Sequence, residues 1–268
     1  MRKIAIIQTR LGSSRLPGKT TLPLGPSTVL EYMVKRLQQC SELDRIIIAV
    51  PENEKTEKFR EVAKKTHVDF FPGSELDLLD RHYQAAKRTR ADIILKIPSD
   101  CPLVDPRAIE LVLTTFLNSP SEVDYVSNLH PQSYPDGNDV EAMGFSALEL
   151  AWKEAQAPFQ REHTTPFIWD QPERFSILNC TWETGLDFSR KFRYTLDYQE
   201  DYAVIKGIVD HFERNQKTGF GALEISEFLS AHPELAKLNS HFWSNSWYQK
   251  ERAQLKHFHR IYREDSLT

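Results

Sequence analysis

Five short apolar segments recur at nearly even spacing through the first half of this chain and alternate with amphipathic helical patterns. Between the segments, apolar side chains recur every three or four residues, as in Leu30, Met33, Val34 and Leu37, which is the spacing of one helix face. Strands that alternate with helices form parallel β-α-β units, and strands that are apolar on both faces belong to a sheet covered by helices on both sides. We therefore predict an α/β fold with a mostly parallel central sheet flanked by helices, in which ligands bind beyond the carboxyl ends of the strands. The five predicted strands are residues 4–7, 45–50, 68–71, 92–97 and 123–126.

Composition excludes several classes of protein. The 268 residues carry a net charge of −4, so the chain as a whole does not attract nucleic acid. The longest apolar runs, such as residues 46–50, are far shorter than the roughly 20 residues that span a bilayer. The apolar run that follows Lys3 is too short for a secretion signal, so we expect a cytoplasmic protein with no transmembrane segment. The three cysteines are dispersed and form no C-x-x-C pair, which disfavours a disulfide framework or a zinc site.

The regular alternation of strands and helices ends near residue 130. A loop over residues 130–138 contains Pro131, Pro135 and Gly137, and we expect the second half to complete the site rather than to form a separate domain. Helices are predicted over residues 202–212 and 223–229. An apolar stripe predicts a last helix, with the residues Leu255, Phe258, Ile261 and Tyr262.

The loop between the first strand and the first helix contains the densest signal for a ligand. It carries Arg10, Arg15 and Lys19 together with Gly12 and Gly18, and residues 1–30 contain no acid. Cations, hydroxyls and exposed backbone amides in a glycine-containing loop suit a polyanion such as a triphosphate. The alternative is a Pro-Gly turn with solvated cations. The loop matches neither G-x-x-x-x-G-K-[ST] nor G-x-G-x-x-G, which disfavours a P-loop ATPase and a dinucleotide-binding domain.

Two aspartates are candidate ligands for Mg²⁺. Asp100 follows the fourth predicted strand, where a ligand group is expected, and a carboxylate facing a triphosphate requires a cation between them. Asp197 ends a later strand and could complete the same metal site. Either residue could instead form a turn or a helix cap. Asp105 precedes Pro106 and reads as a structural N-cap.

A third group of residues suits the recognition of a polyol or base chemistry. Asp139 and Glu141 share one face if their segment is extended, and His163 follows in a segment that ends in apolar residues. A solvated acidic loop and a hydrogen-bonded structural histidine are the alternatives.

The C-terminal tail is basic and aromatic. Residues 241–263 contain five Lys or Arg against one Glu, with aromatic side chains from Phe242 to Tyr248. We expect this tail to dock on the core or on a second subunit, and contact with a membrane or a lipid-linked glycan is the alternative.

These motifs resemble the SpsF-like spore-coat polysaccharide biosynthesis family, which is related to the cytidylyltransferases that activate 3-deoxy-manno-octulosonate and acylneuraminate. The resemblance covers residues 1 to about 213. It rests on the loop from Gln8 to Lys19 and, in order, on Asp80-Arg81-His82-Tyr83, Asp100-Cys101-Pro102-Leu103, Asp124-Tyr125-Val126-Ser127-Asn128, Tyr134-Pro135-Asp136-Gly137, Asp139-Val140-Glu141, Arg161-Glu162-His163 and Thr195-Leu196-Asp197.

The resemblance implies a GT-A-like, Rossmann-like nucleotidyltransferase fold over residues 1–213, with a C-terminal helical extension over residues 214–268. It implies transfer of CMP from CTP to a sugar or sugar acid, Mg²⁺ on Asp100 and Asp197, and a substrate that lies over Asp139, Glu141 and His163. Relatives of this kind are commonly dimers, so we expect a homodimer. We assign catalysis to Lys19, Arg15 and Asp100, and nucleotide binding to Gln8, Arg10, Gly12, Ser13, Ser14, Arg15, Lys19 and Ser99.

Two other functions remain open from the residues. A glycosyltransferase with a nucleotide-sugar donor could share the fold, although no Asp-x-Asp motif follows the fourth predicted strand. A nucleotide sensor would bind the same ligand without turnover.

Overall fold

The computed structural model describes residues 1–52, 56–119, 121–245 and 247–258. Seven strands form one sheet in the order β5-β4-β1-β6-β8-β7-β9, and β2 pairs with β3 in a separate hairpin. The strands are β1 (Lys3–Gln8), β2 (Pro23–Leu24), β3 (Ser27–Thr28), β4 (Arg45–Pro51), β5 (Asp69–Gly73), β6 (Ile93–Pro98), β7 (Tyr125–Ser127), β8 (Glu141–Gly144) and β9 (Ile177–Asn179).

Eleven α-helices are found within the described residues. They are α1 (Val29–Leu37), α2 (Glu57–Thr66), α3 (Leu78–Thr89), α4 (Pro106–Leu117), α5 (Phe145–Glu154), α6 (Pro158–His163), α7 (Pro166–Trp169), α8 (Gln199–Arg214), α9 (Ala222–Ala231), α10 (Pro233–Ala236) and α11 (Trp247–Lys250).

The core lies on both faces of the sheet because alternate strand residues point to opposite sides. Ala5 and Ile7 of β1 pack with side chains of α1, α2 and α4. Ile4 and Ile6 pack with side chains of α3, α5 and α7 on the other face. Strands β5, β4, β1 and β6 run parallel. The predicted α/β fold with a mostly parallel, helix-covered sheet is confirmed.

The second half of the chain extends the same sheet. Strand β8 runs antiparallel to β6, and their register pairs Lys96 with Glu141. This reversal brings the beginning of β8 to the edge where β6 ends. Strands β7 and β9 then complete the sheet.

The C-terminal part packs against the core through helices and a shorter segment that follows them. Helices α8 and α9 bury side chains such as Val204 and Ile225 in one apolar cluster. The predicted last helix is wrong where the structure describes it, because residues 251–258 form a bend and turns. Leu255 in these turns is nevertheless buried, and Ile261 and Tyr262 lie outside the described residues. No helix in the described ranges is both long and apolar enough to cross a membrane.

Candidate active site

The loop after β1 folds back on itself. The carbonyl of Leu11 accepts hydrogen bonds from the amides of Ser13 and Gly18, at 2.9 and 3.1 Å. Gly18 has a φ of 68°, a left-handed conformation that glycine adopts without a steric penalty. The turn therefore brings Arg15 and Lys19 to the carboxyl edge of the sheet.

Arg15 and Lys19 meet two aspartates from distant parts of the chain. The Lys19 Nζ atom lies 2.9 Å from Asp197 Oδ1 and 3.7 Å from Asp100 Oδ2. The Arg15 guanidinium lies 2.8 Å from the same Asp197 oxygen. The structure thus brings together the predicted triphosphate cations and the predicted metal carboxylates, and we call these four residues the phosphate end of the site.

Backbone contacts fix the two aspartates relative to one another. The amide of Leu196 donates to the Asp100 carbonyl at 2.7 Å, and the Thr195 hydroxyl donates to the same oxygen at 3.2 Å. Burial alone would raise the pKa of Asp197, but Lys19, Arg15 and Arg193 outweigh it and lower that pKa. Asp197 is therefore ionised at neutral pH.

Arg193 joins three carboxylates beneath the phosphate end, and the sequence analysis missed it. Its side chain is 8% exposed and lies 2.6 Å from Asp136 Oδ2, 3.0 Å from Asp201 Oδ1 and 3.6 Å from Asp197 Oδ2. Asp201 in turn accepts hydrogen bonds from the amides of Asp197 and Tyr198, at 2.8 and 2.9 Å. A usable signal was that Arg193 stands between the large apolar side chains of Phe192 and Tyr194.

The carboxylates at this edge outnumber the cations that face them closely. Burial and the neighbouring Asp197 and Asp100 raise the pKa of Asp136 to about 6, although Arg193 opposes the rise. Burial, Asp136 and Asp100 raise the pKa of Asp139 as well. Crowded carboxylates of this kind are stabilised by an added cation.

The residues present fit a Mg²⁺ ion that is coordinated partly by the protein and partly by the phosphates of a bound substrate. Within the described part of the chain, no three His, Cys, Asp or Glu side chains are arranged to hold a metal ion by themselves. Asp100 and Asp197 both approach the Lys19 ammonium, so their oxygens already face a common cation. Mg²⁺ typically takes one or two carboxylates and completes its shell with phosphate and water.

Glu141 is held by protein partners at the other end of the site. Its carboxylate is 2% exposed and lies 2.5 Å from Lys96 Nζ, and it accepts a hydrogen bond of 2.6 Å from the Tyr125 hydroxyl. Burial favours a higher pKa for Glu141, but Lys96 outweighs burial and lowers it. Lys96 was missed by the sequence analysis, although one lysine within the apolar strand β6 was a usable signal. We call Lys96, Asp139, Glu141 and His163 the substrate end.

His163 closes the substrate end with an uncharged ring. It stacks on Trp247 with ring centres 3.9 Å apart and an interplanar angle of 14°. Burial and the nearby Lys96 ammonium lower the pKa of His163 to about 3. The imidazole is therefore neutral at physiological pH and can exchange hydrogen bonds with hydroxyl groups.

The other residues predicted to bind nucleotide lie around the end of β1. Gln8 is opposite Pro98 in the sheet, and its Oε1 atom is buried without a hydrogen-bond partner, which is unusual for a polar group that no ligand contacts. The Ser99 amide donates to the Gln8 carbonyl at 3.3 Å. The remaining predicted residues line the loop: Arg10, Gly12 and Ser14 are exposed, whereas Ser13 is half-buried and accepts a hydrogen bond from the Leu16 amide.

A family model described as cytidylyltransferase matches residues 4–230. The chain belongs to the cytidylyltransferase family. This membership makes it a CTP-dependent nucleotidyltransferase.

Individual relatives agree with this assignment. The cytidylyltransferase is 33% identical over 252 residues to an uncharacterized protein of Methanocaldococcus jannaschii. The match covers 94% of this chain and 100% of that protein. It is 27% identical over 237 residues to the spore coat polysaccharide biosynthesis protein SpsF of Bacillus subtilis, covering 86% and 95% of the two chains. A solved cytidylyltransferase structure from Leptospira borgpetersenii is similar with a TM-score of 0.83 and 32% identity, over 88% of this chain and 97% of that chain.

Asp105 has a structural role in this cytidylyltransferase, as predicted. Its carboxylate accepts a hydrogen bond from the Arg107 amide at the start of α4, and its other oxygen accepts from the Ala222 amide at 2.7 Å. The Asp105 amide donates to the Asn138 side chain at 2.9 Å. Asp105 therefore ties the loop before β8 to α4 and α9 and does not face the phosphate end.

Proposed function

We propose that the enzyme transfers CMP from CTP to a sugar acid, with Mg²⁺ and with release of pyrophosphate. The observation that carries this proposal is the convergence of Arg15 and Lys19 with Asp100 and Asp197 at the carboxyl edge of the sheet. Cations for phosphate and carboxylates for a metal ion are both needed for nucleotidyl transfer.

In the reaction, an acceptor hydroxyl group gives up its proton to water as its oxygen forms a bond to the α-phosphorus of CTP. The bond from that phosphorus to the bridging oxygen of the β-phosphate breaks, and pyrophosphate leaves. Arg15 and Lys19 bind the phosphate oxygens and stabilise the negative charge that grows on the leaving group. Asp100 and Asp197 would hold Mg²⁺, which polarises a phosphoryl oxygen when it is bound.

The substrate end receives the acceptor. The neutral His163 ring and the Asp139 carboxyl group supply hydrogen bonds to hydroxyl groups, while Lys96 keeps Glu141 ionised and fixed in place. The sugar-acid class is supported by the motifs that resemble 3-deoxy-manno-octulosonate and acylneuraminate cytidylyltransferases. A role in surface glycan synthesis is supported by the similarity to SpsF, a spore coat polysaccharide biosynthesis protein.

We also propose that the working unit is a homodimer. Light scattering on the same preparation measures the molar mass of that unit.

The test is a screen for pyrophosphate release with four nucleoside triphosphates against a panel of sugar acids and sugar phosphates. We expect release with CTP and a sugar acid, loss of release on addition of a chelator and its return with Mg²⁺. Free nucleoside diphosphate from a nucleotide sugar would instead indicate a glycosyltransferase. Nucleotide binding without pyrophosphate release across the whole panel would indicate a sensor, and either result would overturn the proposal.

A further inference from the structure

Residues 239–245 and 247–248 lie beyond residues 4–230, which the family model matches. Asn239 and Phe242 contact partners of the phosphate end. Trp247 contacts His163 of the substrate end. We call residues 239–245 and 247–248 the rim segment.

At the phosphate end, Asn239 holds the group that positions Asp197. The Asn239 side chain is 1% exposed, and its Nδ2 atom donates to Asp201 Oδ1 at 2.8 Å and to the Arg193 carbonyl at 3.0 Å. The other Asp201 oxygen accepts the Asp197 amide at 2.8 Å. Asn239 therefore fixes Asp201, and Asp201 fixes the backbone of Asp197.

Phe242 adds a second contact near the same end. Its ring stacks on Tyr198 with centres 3.8 Å apart and an interplanar angle of 5°. The guanidinium carbon of Arg15 lies 5.1 Å from the centre of the Tyr198 ring, within the range of a cation–π interaction. Phe242 of the rim segment thus packs on the Tyr198 ring, and that ring contacts Arg15, which is predicted to bind the triphosphate.

Near the substrate end, two aromatic residues of the rim segment contact His163 and the neighbouring His130. Trp247 stacks on His163. The Tyr248 hydroxyl lies 3.2 Å from Nε2 of His130, and the His130 ring stacks on Trp169 with centres 4.4 Å apart. Trp247 occupies one face of His163, so an acceptor meets a wall made by these two rings.

We propose that two residues of the rim segment work in the active site: Asn239 is a positioning residue for Asp197, and Trp247 determines which acceptors fit. This inference rests on the proposed function and extends it to residues outside the matched family region. Because the two contacts lie at opposite ends of the site, they affect different kinetic constants. Asn239 acts on metal-nucleotide binding and turnover, whereas Trp247 acts on acceptor binding.

The experiment compares Asn239→Ala and Trp247→Ala with Trp243→Ala as a matched control. In the described part of the chain, Trp243 is half-buried and no ring stacking is found for it. We expect Asn239→Ala to lower kcat about tenfold or more and to raise the Mg²⁺ concentration for half-maximal rate, with the acceptor KM unchanged, because a buried hydrogen bond to a charged group is lost. Trp247→Ala should raise the acceptor KM about tenfold and alter the ranking of sugar acids, with the KM for CTP unchanged. Trp247→Phe should recover most of the acceptor affinity.

Circular dichroism and thermal unfolding establish that each variant is folded, and Asn239→Ser replaces Asn239→Ala if the latter unfolds. Calorimetry of CTP with Mg²⁺ gives a readout without turnover, in which we expect weaker binding by the Asn239 variants and wild-type binding by the Trp247 variants. Absence of pyrophosphate release by the wild type with every acceptor would refute the proposed function, while the calorimetric comparison would still test the rim segment. Asn239 and Trp247 variants that match Trp243→Ala in every measurement would overturn the inference.

Discussion

The Nζ atom of Lys19 lies 2.9 Å from Oδ1 of Asp197, although 178 positions separate the two residues in the chain. Arg15 shares the same carboxylate oxygen. Triphosphate oxygens form strong charge-assisted hydrogen bonds with both cation types. We therefore expect a bound nucleotide to draw Arg15 and Lys19 away from Asp197 and leave that carboxylate open to a metal ion.

Replacement of Lys19 tests this arrangement directly. We expect Lys19→Ala to lower the turnover for pyrophosphate release by about 10²- to 10³-fold, because a preorganised charge that faces the developing negative charge is lost. Lys206→Ala is the matched control, since Lys206 pairs with Asp210 on the exposed surface of α8. Wild-type turnover by Lys19→Ala would contradict the assigned role.

The buried ion pair of Lys96 with Glu141 should contribute to the stability of the folded protein. Removal of one partner leaves an uncompensated buried charge, so Lys96→Met should lower the free energy of unfolding by about 3–5 kcal/mol. Lys153→Met breaks the exposed pair with Glu149 and should lower the free energy of unfolding far less than Lys96→Met does, because solvent screens exposed ion pairs. Denaturant unfolding at neutral pH measures both values.

A double variant separates the buried charge from simple loss of packing. Lys96→Met combined with Glu141→Gln removes both charges, and we expect it to be more stable than Lys96→Met alone. A double variant that is less stable than the single one would show that the buried charge is not the cause.

Gly137 makes a close approach that a larger residue cannot make. A Cβ atom at this position would lie 2.8 Å from the Thr195 amide nitrogen and the Tyr194 carbonyl carbon, and φ is +116°. We expect Gly137→Ala to destabilise the protein by about 2–3 kcal/mol and to reduce turnover, because the adjacent Asp136 pairs with Arg193. Gly185→Ala is the control. At Gly185 φ is +75°, and an added Cβ atom would have no neighbouring atom within 4 Å. Only the backbone cost of about 1 kcal/mol therefore applies there. Equal losses from the two substitutions would refute the steric argument.

The buried His82 should make the stability of the protein depend on pH. Burial lowers its pKa to about 3 from an ordinary value of 6.5, and its Nδ1 atom lies 2.8 Å from the Leu78 carbonyl. Below pH 6.5 the unfolded chain takes up a proton that the folded chain does not, so stability falls as the pH falls from 6.5 toward 3.

The measurement for His82 compares the wild type with His82→Gln. Between pH 7.5 and pH 5.5 the difference in their free energies of unfolding should narrow by about 1.4 kcal/mol, because only the wild type loses the stability that His82 supplies. A constant difference over this range would mean that His82 does not titrate as described.

The sequence was sufficient for the elements whose signals are local. The apolar runs at residues 4–7, 45–50 and 92–97 correspond to β1, β4 and β6, since strands buried on both faces must be continuously apolar. The cap formed by Asp105 was also predictable, because a side-chain acceptor before a proline is a local signal.

The contacts that complete the site depend on pairings between distant segments. The ion pair of Lys96 with Glu141 follows from the antiparallel register of β6 and β8, and no local pattern specifies that register. Arg193 likewise meets its three carboxylates only after the segments around Asp136 and Asp201 have come together. The apolar stripe near Leu255 shows the opposite error: the spacing indicated a helix, but the chain there turns so that the amides of Lys256 and His257 donate to Asp170. The roles assigned to Gln8, Ser99, Asp139 and His163 stay predictions that the kinetic experiments test.

The reversed direction of β8 has a consequence for how such an enzyme can diversify. The segment that precedes β8 enters the sheet at the edge where β6 ends, and the loop with Arg15 and Lys19 leaves β1 at that same edge. Exchanges of side chains at the start of β8, such as Glu141, therefore leave the register of the parallel strands β1 and β6 unchanged. The reversed strand thus separates the residues that we expect to select the acceptor from those that we expect to hold the nucleotide, so the two kinds of specificity can change independently.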